Sequence, residues 1–202
     1  MRRIVLLLGI CVGLAVAADH PIWQNLRARY LGLKTLSGLF TENISPAKEG
    51  ARLTFEGAFA ISVPARYRIE ATGKFKQFLL SDGTTDWIYL PKLKRVIERP
   101  TGGFTPILAF LEPILNSGAN VEVSKDSTGI YVVSVLMVDK MPVMNDLVLE
   151  LNETGTQINS FYFTDSTGGK IRFDFYNQEW NPELSPTLFE FTPPKGARIQ
   201  KN

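Results

Sequence analysis

Hydrophobic and polar positions along this chain follow two different periods. Ile22, Leu26, Tyr30 and Leu33 recur at intervals of four, four and three residues, which is one face of a helix. Asp19 is the expected N-cap. Pro21 follows early in the helix, where a missing N–H costs little. Gly32 and Gly38 predict that the helix stops soon after Leu33. Beyond it the period falls to two. Leu36, Phe40 and Ile44 alternate with polar or small residues, and Leu53, Phe55, Phe59, Ile61 and Val63 alternate with Thr54, Glu56, Ala58, Ala60 and Ser62. Such alternation marks strands with one buried and one wet face.

The same reading continues toward the C-terminus. Tyr67 and Ile69 alternate with Arg66, Arg68 and Glu70. Ser81-Asp82-Gly83-Thr84 predicts a hairpin turn, because Asp-Gly favours positive φ, and Trp87 and Tyr89 begin a new strand that Pro91 ends. Further strands are expected at 93–98, 121–124, 130–138, 147–151, 158–164 and 170–176, with a short final one at 188–191 before Pro193-Pro194. Phe104, Ile107, Leu108, Phe110, Leu111, Ile114 and Leu115 interrupt this pattern, and Glu112 is the one charge among them. Pro106 and Pro113 each suit the start of a short helix. A helix apolar on most sides must be covered on most sides. The elements therefore predict one strongly curved antiparallel meander whose concave face is capped by helices.

The N-terminus adds a compartment. Met1-Arg2-Arg3 and the apolar run from Ile4 to Val16 have the charged and apolar regions of a secretory signal, and Ala15-Val16-Ala17 supplies a cleavage site. The run is shorter than the roughly 20 residues that span a bilayer. The expected organisation is a cleavable signal over 1–17 and one domain over 18–202. Cys11, the single cysteine, lies inside the signal, so no disulfide or thiol chemistry is expected after cleavage. The full chain has 22 basic and 20 acidic residues; without Arg2 and Arg3 the counts are equal. That balance gives no support for nucleic-acid binding.

Candidate chemistry is sparse. His20 is the single histidine, which leaves no His-based triad and no His/Cys metal cluster. Asp82 and Asp86 read as a hairpin tip rather than a catalytic pair. Gly102-Gly103 lacks the lysine and hydroxyl of a phosphate loop, and Gly168-Gly169 reads as a hairpin turn. No enzymatic activity, metal or cofactor is expected. Arg66, Arg68, Lys74, Lys76, Lys92, Lys94, Arg95 and Arg99 outnumber the acids in their stretch. They suit either solvated strand exteriors or steering toward an acidic partner or lipid headgroups. The prominent feature is apolar residues at inward positions: Phe55, Phe59, Ile61, Tyr67, Ile69, Trp87 and Tyr89, then Leu149, Phe161, Phe163, Phe173 and Phe175. A curved sheet under apolar helices can close these into a packed core or leave an apolar cavity. Composition does not choose between the two.

Four segments, in order, resemble the periplasmic outer-membrane lipoprotein carrier (LolA-like) family. They are Gly57-Ala58-Phe59 through Val63-Pro64-Ala65-Arg66-Tyr67-Arg68, Leu80-Ser81-Asp82-Gly83 through Trp87-Ile88-Tyr89-Leu90-Pro91, the 104–115 apolar segment, and Phe189-Glu190-Phe191-Thr192-Pro193-Pro194-Lys195-Gly196. The resemblance spans nearly the whole mature chain. It implies an unclosed (half) β-barrel with helices, including Phe104, Leu108, Leu111 and Leu115, as a lid over an apolar cavity. It also implies a monomeric periplasmic carrier that takes acylated lipoproteins from an inner-membrane ABC transporter to an outer-membrane receptor. Transport of other lipids or glycolipids, or a sensory role on the same scaffold, is the alternative. One position departs from the family: where an arginine before the motif's proline latches the lid, this chain has Val63.

Overall fold

A computed structural model describes residues 20–102, 114–115, 120–137 and 144–202. The proposed signal and the lid positions Phe104, Leu108 and Leu111 lie outside the described residues. Helix α1 spans Pro21–Leu31. The strands are β1 (Thr35–Ser45), β2 (Leu53–Ser62), β3 (Arg66–Ala71), β4 (Gln77–Asp82), β5 (Thr85–Leu90) and β6 (Arg95–Pro100), followed by β7 (Asn120–Lys125), β8 (Tyr131–Met137), β9 (Met144–Leu151), β10 (Ile158–Asp165), β11 (Lys170–Trp180) and β12 (Arg198–Lys201). The N-cap of α1 is His20, not Asp19. Pro21 opens the helix, so the extended residue before it is the one placed to cap, and the His20 Nδ1 accepts the Ile22 N–H at 3.2 Å. Gly32 closes the helix with its N–H on the Ala28 carbonyl.

All twelve strands form one sheet in the order β12-β6-β5-β4-β3-β2-β1-β11-β10-β9-β8-β7. Its edge strands, β12 and β7, do not pair with each other, so the barrel stays unclosed. Nearly every neighbour is a chain neighbour, as a meander requires. The exception in the middle is β1, which pairs with β2 on one side and β11 on the other over most of its length. This long central pair fuses an N-terminal half, β1–β6, with a C-terminal half, β7–β11.

Two strand expectations are corrected at the ends. The 188–191 stretch is not a strand: Pro186–Phe189 forms a 3-10 turn, and the last strand is β12, further on. β12 runs parallel to β6, so the sheet is not antiparallel throughout. With only four residues, two of them basic, β12 lacks the hydrophobic run that announces a strand, and its charges suit an exposed edge. The strand expected at 93–98 starts later, because Pro91–Leu93 makes a 3-10 turn and Lys94 leaves it with φ 46°.

Residues opposite each other on adjacent strands point to the same face, so register alone separates the sheet's two faces. One inner row runs Ile88, Leu79, Ile69, Phe59, Gly38. A second runs Phe55, Glu42, Phe173, Phe161, Leu149, Val133. α1 lies over the C-terminal half of this face. Its Trp23, Leu26 and Tyr30 pack with Val121, Val133, Leu147, Leu149, Leu151 and Phe161. Ile114 and Leu115, described as helical, join the same cluster. Fully burying each such side chain contributes about 1.5–3 kcal/mol. Tyr30 adds a polar tie: its hydroxyl accepts the buried Ile158 N–H at 3.2 Å while its ring meets Trp180 edge-on at 4.8 Å. The Arg27 Nε clamps the Leu115 carbonyl at 2.6 Å.

Candidate functional site: the apolar inner wall

The N-terminal half of the inner face forms its own apolar cluster. Leu33, Leu36, Phe40, Phe59, Ile61, Tyr67, Ile69 and Ala71 are buried there, with Phe55, Leu79, Phe173, Phe175 and Trp180 packed partly buried against them. Phe173 and Phe175 also touch the cluster beneath α1, so the two halves share one aromatic seam. Within it, Phe161 stacks on Phe173 at 4.8 Å, and Phe59 meets Phe175 edge-on at 5.7 Å. Such offset and edge contacts add to the area buried.

The structure places the expected lining residues in three groups. Phe55, Phe59, Ile61, Tyr67, Ile69, Phe173 and Phe175 share the inner wall of the N-terminal half and the seam. Leu115, Leu149, Phe161 and Phe163 also face inward but are buried in the cluster under α1, so they form packed core. Trp87 and Tyr89 do not belong to the inner wall. Their register partners are Leu80 and Phe78, one residue out of phase with the inner row, so both point outward. There Phe191 covers them, at 5.7 Å from Trp87 and 6.3 Å from Tyr89, and Phe189 is buried nearby in the returning C-terminal segment. Alternation alone gives each strand two faces. Which face is inner depends on the pairing of distant strands, and the C-terminal segment made an outer patch look like core.

Pattern reading left three inner residues out of the lining set and misplaced a fourth. Leu36, Phe40 and Leu79 line the wall beside the expected set; their period-two spacing was the available signal. Asp86 is the misplaced one. Asp82 does sit at the hairpin tip, where its Oδ1 accepts the Thr84 and Thr85 N–H groups at 2.7 and 2.9 Å. Asp86 is on the inner face and only 3% exposed. Arg99 Nε lies 3.5 Å from its Oδ2, and its Oδ1 has no hydrogen-bond partner. Burial first, and then the Asp86 charge, push the Tyr67 phenol above its ordinary range. Ser81, also fully buried, lies between them in register. This polar corner ends the apolar wall at the row that carries Ile61 and Leu36.

Away from the Trp87–Phe191 patch the outer face carries paired charges. Arg172 bridges Glu150 at 2.7 Å and Asp174 at 2.8 Å, and Arg68 pairs with Glu70 while reaching the Leu188 carbonyl at 3.2 Å. Several members of the basic stretch are thus engaged within the fold: Arg66 with the Asp82 carbonyl, Arg68 with Glu70 and Arg99 with Asp86. A shallow groove of about 370 Å³ on this face runs over Leu39, Thr41, Ala58 and Tyr176 between Glu56 and Glu70. Among the described residues no group of three or more His, Cys, Asp or Glu could hold a metal ion, and no helix is long and apolar enough to cross a membrane.

The geometry defines a class: an unclosed β-barrel that carries a largely apolar wall on its inner face, with ion pairs and an aromatic patch outside. Residues 32–192 match the family described as outer membrane lipoprotein carrier protein LolA, and the chain belongs to that family. An outer-membrane lipoprotein carrier protein of Methylibium petroleiphilum is 27% identical over 98% of both chains. One from Chromobacterium violaceum is 30% identical over 95% of this chain and 93% of its own. Among solved structures, an uncharacterized conserved protein of Thermus thermophilus shares the fold with TM-score 0.56 at 10% identity, over 90% of this chain and 97% of that one. MucB shares it with TM-score 0.50 at 18% identity, over 87% of this chain and 63% of its own.

Proposed function

We propose that this protein is a soluble periplasmic carrier that holds the acyl chains of lipoproteins against its inner wall. It moves them from an inner-membrane ABC transporter to an outer-membrane receptor. The observation that supports this most is the seam of Phe59, Phe173 and Phe175, apolar and shared by both halves of a sheet that does not close. An unclosed sheet can admit a chain from the side, whereas a closed barrel must thread it through an end. Family membership supplies the cargo class.

The physics of the cargo demands such a wall. Each methylene taken from water is worth about 0.8 kcal/mol. A multiply acylated protein therefore cannot cross an aqueous compartment unescorted. Delivery also requires release, so the affinity must differ between the loaded and emptied states of the carrier. On this reading the protein makes and breaks no covalent bond, and no cofactor takes part. Val63, where family members have the latching arginine, is 41% exposed beyond the end of β2. Its side chain offers no hydrogen bond, so it cannot latch a lid as that arginine does.

Native mass spectrometry of protein released from the periplasm tests the reading, with a lipoprotein as the expected bound mass. A free glycolipid bound consistently, together with no lipoprotein transfer in a reconstituted assay, overturns it.

A further inference from the structure

Two turns at one end of the sheet carry charge that the fold does not use. Gly73–Phe75 joins β3 to β4 and Pro91–Leu93 joins β5 to β6, each as a single 3-10 turn. Strands β3 to β6 are successively antiparallel, so both connections fall at the same end. The Lys92 ammonium donates to the Lys74 carbonyl at 2.5 Å and ties the two turns into one tip. Lys74, Lys76, Lys92 and Lys94 are exposed on it, and none of them makes an ion pair among the described residues. Arg66, Arg68 and Arg99 of the same stretch are instead engaged within the fold. Residues 72–77 and 90–95 contain five basic side chains and no acid. The Arg198 N–H donates to the Lys94 carbonyl at 2.8 Å, which sets a further exposed cation beside the tip. Glu56 approaches the base, where its carbonyl accepts the Thr72 N–H at 2.7 Å, and the cations stay in clear excess.

Two large apolar side chains stand among these charges. Leu93 is 56% exposed and Phe75 38%. Phe75 also meets Phe55 of the inner wall, with ring centroids 5.4 Å apart. A single exposed apolar residue needs no explanation. Two of them on adjoining turns, ringed by lysines, have the chemistry with which peripheral proteins meet an anionic bilayer. The apolar groups enter the headgroup layer and the ammonium groups meet the phosphates, while the lysine stems bury methylenes on the way. The type of cation separates this from a protein contact, because protein interfaces are depleted in lysine and enriched in arginine. We infer that the tip formed by these two turns docks the protein on an anionic phospholipid surface, with Phe75 and Leu93 in the headgroup layer and the four lysines on its phosphates. A few lysines and two apolar side chains give reversible, salt-sensitive binding, so the protein stays soluble and can leave the surface again. Docking brings the Phe55 part of the inner wall close to the bilayer. It does not depend on what the wall carries, so it stands or falls separately from the acyl-carrier reading.

The test is cosedimentation of the protein released from the periplasm with two kinds of vesicle, phosphatidylcholine alone and phosphatidylcholine with about 30% phosphatidylglycerol. Wild type is expected to bind the anionic vesicles about tenfold more tightly or better, and to lose most of that preference at about 0.5 M salt. Lys74→Gln/Lys92→Gln is expected to weaken binding about tenfold or more, since each lysine near an anionic surface contributes about fivefold. Lys34→Gln/Lys125→Gln removes the same charge from just before β1 and from β7, and should change binding by less than about twofold. Leu93→Ser is expected to weaken binding about fivefold and leave its salt dependence unchanged. Far-UV circular dichroism checks that each variant is folded. Equal binding to the two vesicle types, or equal losses in the two double variants, overturns the inference. Unchanged binding by Leu93→Ser overturns the entry of the apolar pair into the headgroup layer. No binding to either vesicle also overturns the inference and leaves an acidic protein surface as the occupant. The acyl-carrier reading is decided separately, by the mass of the bound cargo.

Discussion

Gly57 is the position where one methyl group has the largest predictable effect. It lies on β2 between Phe40 of β1 and Ala71 of β3. A Cβ added there would stand 1.9 Å from the Glu70 carbonyl oxygen, 2.8 Å from its carbon and 3.0 Å from the Ala71 Cα. All three are backbone atoms of β3, so no rotamer change relieves the overlap. Ordinary contact begins near 3.4 Å, so β2 and β3 must separate by about 1.5 Å at this point. A glycine that admits such close backbone approach is what a sharply bending sheet requires. Overpacking typically costs about 1–3 kcal/mol, and each ladder hydrogen bond lost adds about 1. Gly57→Ala is therefore expected to lose about 3 kcal/mol or more. With a urea m-value of about 1–3 kcal/mol/M, the unfolding midpoint falls by about 1 M or more. The assay is urea unfolding followed by far-UV circular dichroism. Gly102→Ala is the control, because it has no atom within 4 Å of the added carbon and should stay within about 0.5 kcal/mol of wild type. A Gly57→Ala protein that unfolds at the wild-type midpoint would refute the reasoning that curvature at β2 depends on the missing Cβ.

Two further predictions address the polar ties. Tyr30→Phe keeps the ring against Trp180 but leaves the buried Ile158 N–H without its partner. A loss of about 1–3 kcal/mol is expected in chemical denaturation, and an unchanged midpoint would show that the hydroxyl contributes nothing. On the outer face, the hydrogen bond from Arg172 holds the Glu150 carboxyl below its ordinary value of 4.5. A depressed folded-state pKa adds stability above the unfolded value and loses it as pH falls through the folded one. Glu150→Gln should thus flatten the decline in thermal stability on acidification below about pH 4.5. The effect is modest, since the Glu150 and Arg172 side chains are 31% and 39% exposed and solvent screens the pair. Parallel acid profiles for the two proteins would count against it.

Much of the fold was legible because strands with one wet face write their period into the chain. The alternation at Leu53–Ser62 and the Asp-Gly hairpin at Asp82-Gly83 gave β2 and the β4–β5 turn almost to the residue. The inner wall was legible in part for the same reason, since Phe55, Phe59 and Ile61 fall at alternate positions of one strand. Trp87 and Tyr89 show where this stops. Their strand was found, but its apolar side is the outer one, capped by Phe191 from the other end of the chain. β12 escaped notice because a four-residue edge strand needs no hydrophobic signature when one partner supplies its pairing.

By itself the sequence determined the fold class, the first helix, most of the succession of strands before β12 and the family, all of which rest on local period, turn chemistry and motif order. Tertiary structure alone decided which face of each strand is the inner wall, that Leu149 and Phe161 are packed core under α1, and that Asp86 is buried. It alone set Glu42 between Phe55 and Phe173. The reason is physical: a strand's pattern records that it has two sides, while the identity of each side is fixed by partners more than a hundred residues away.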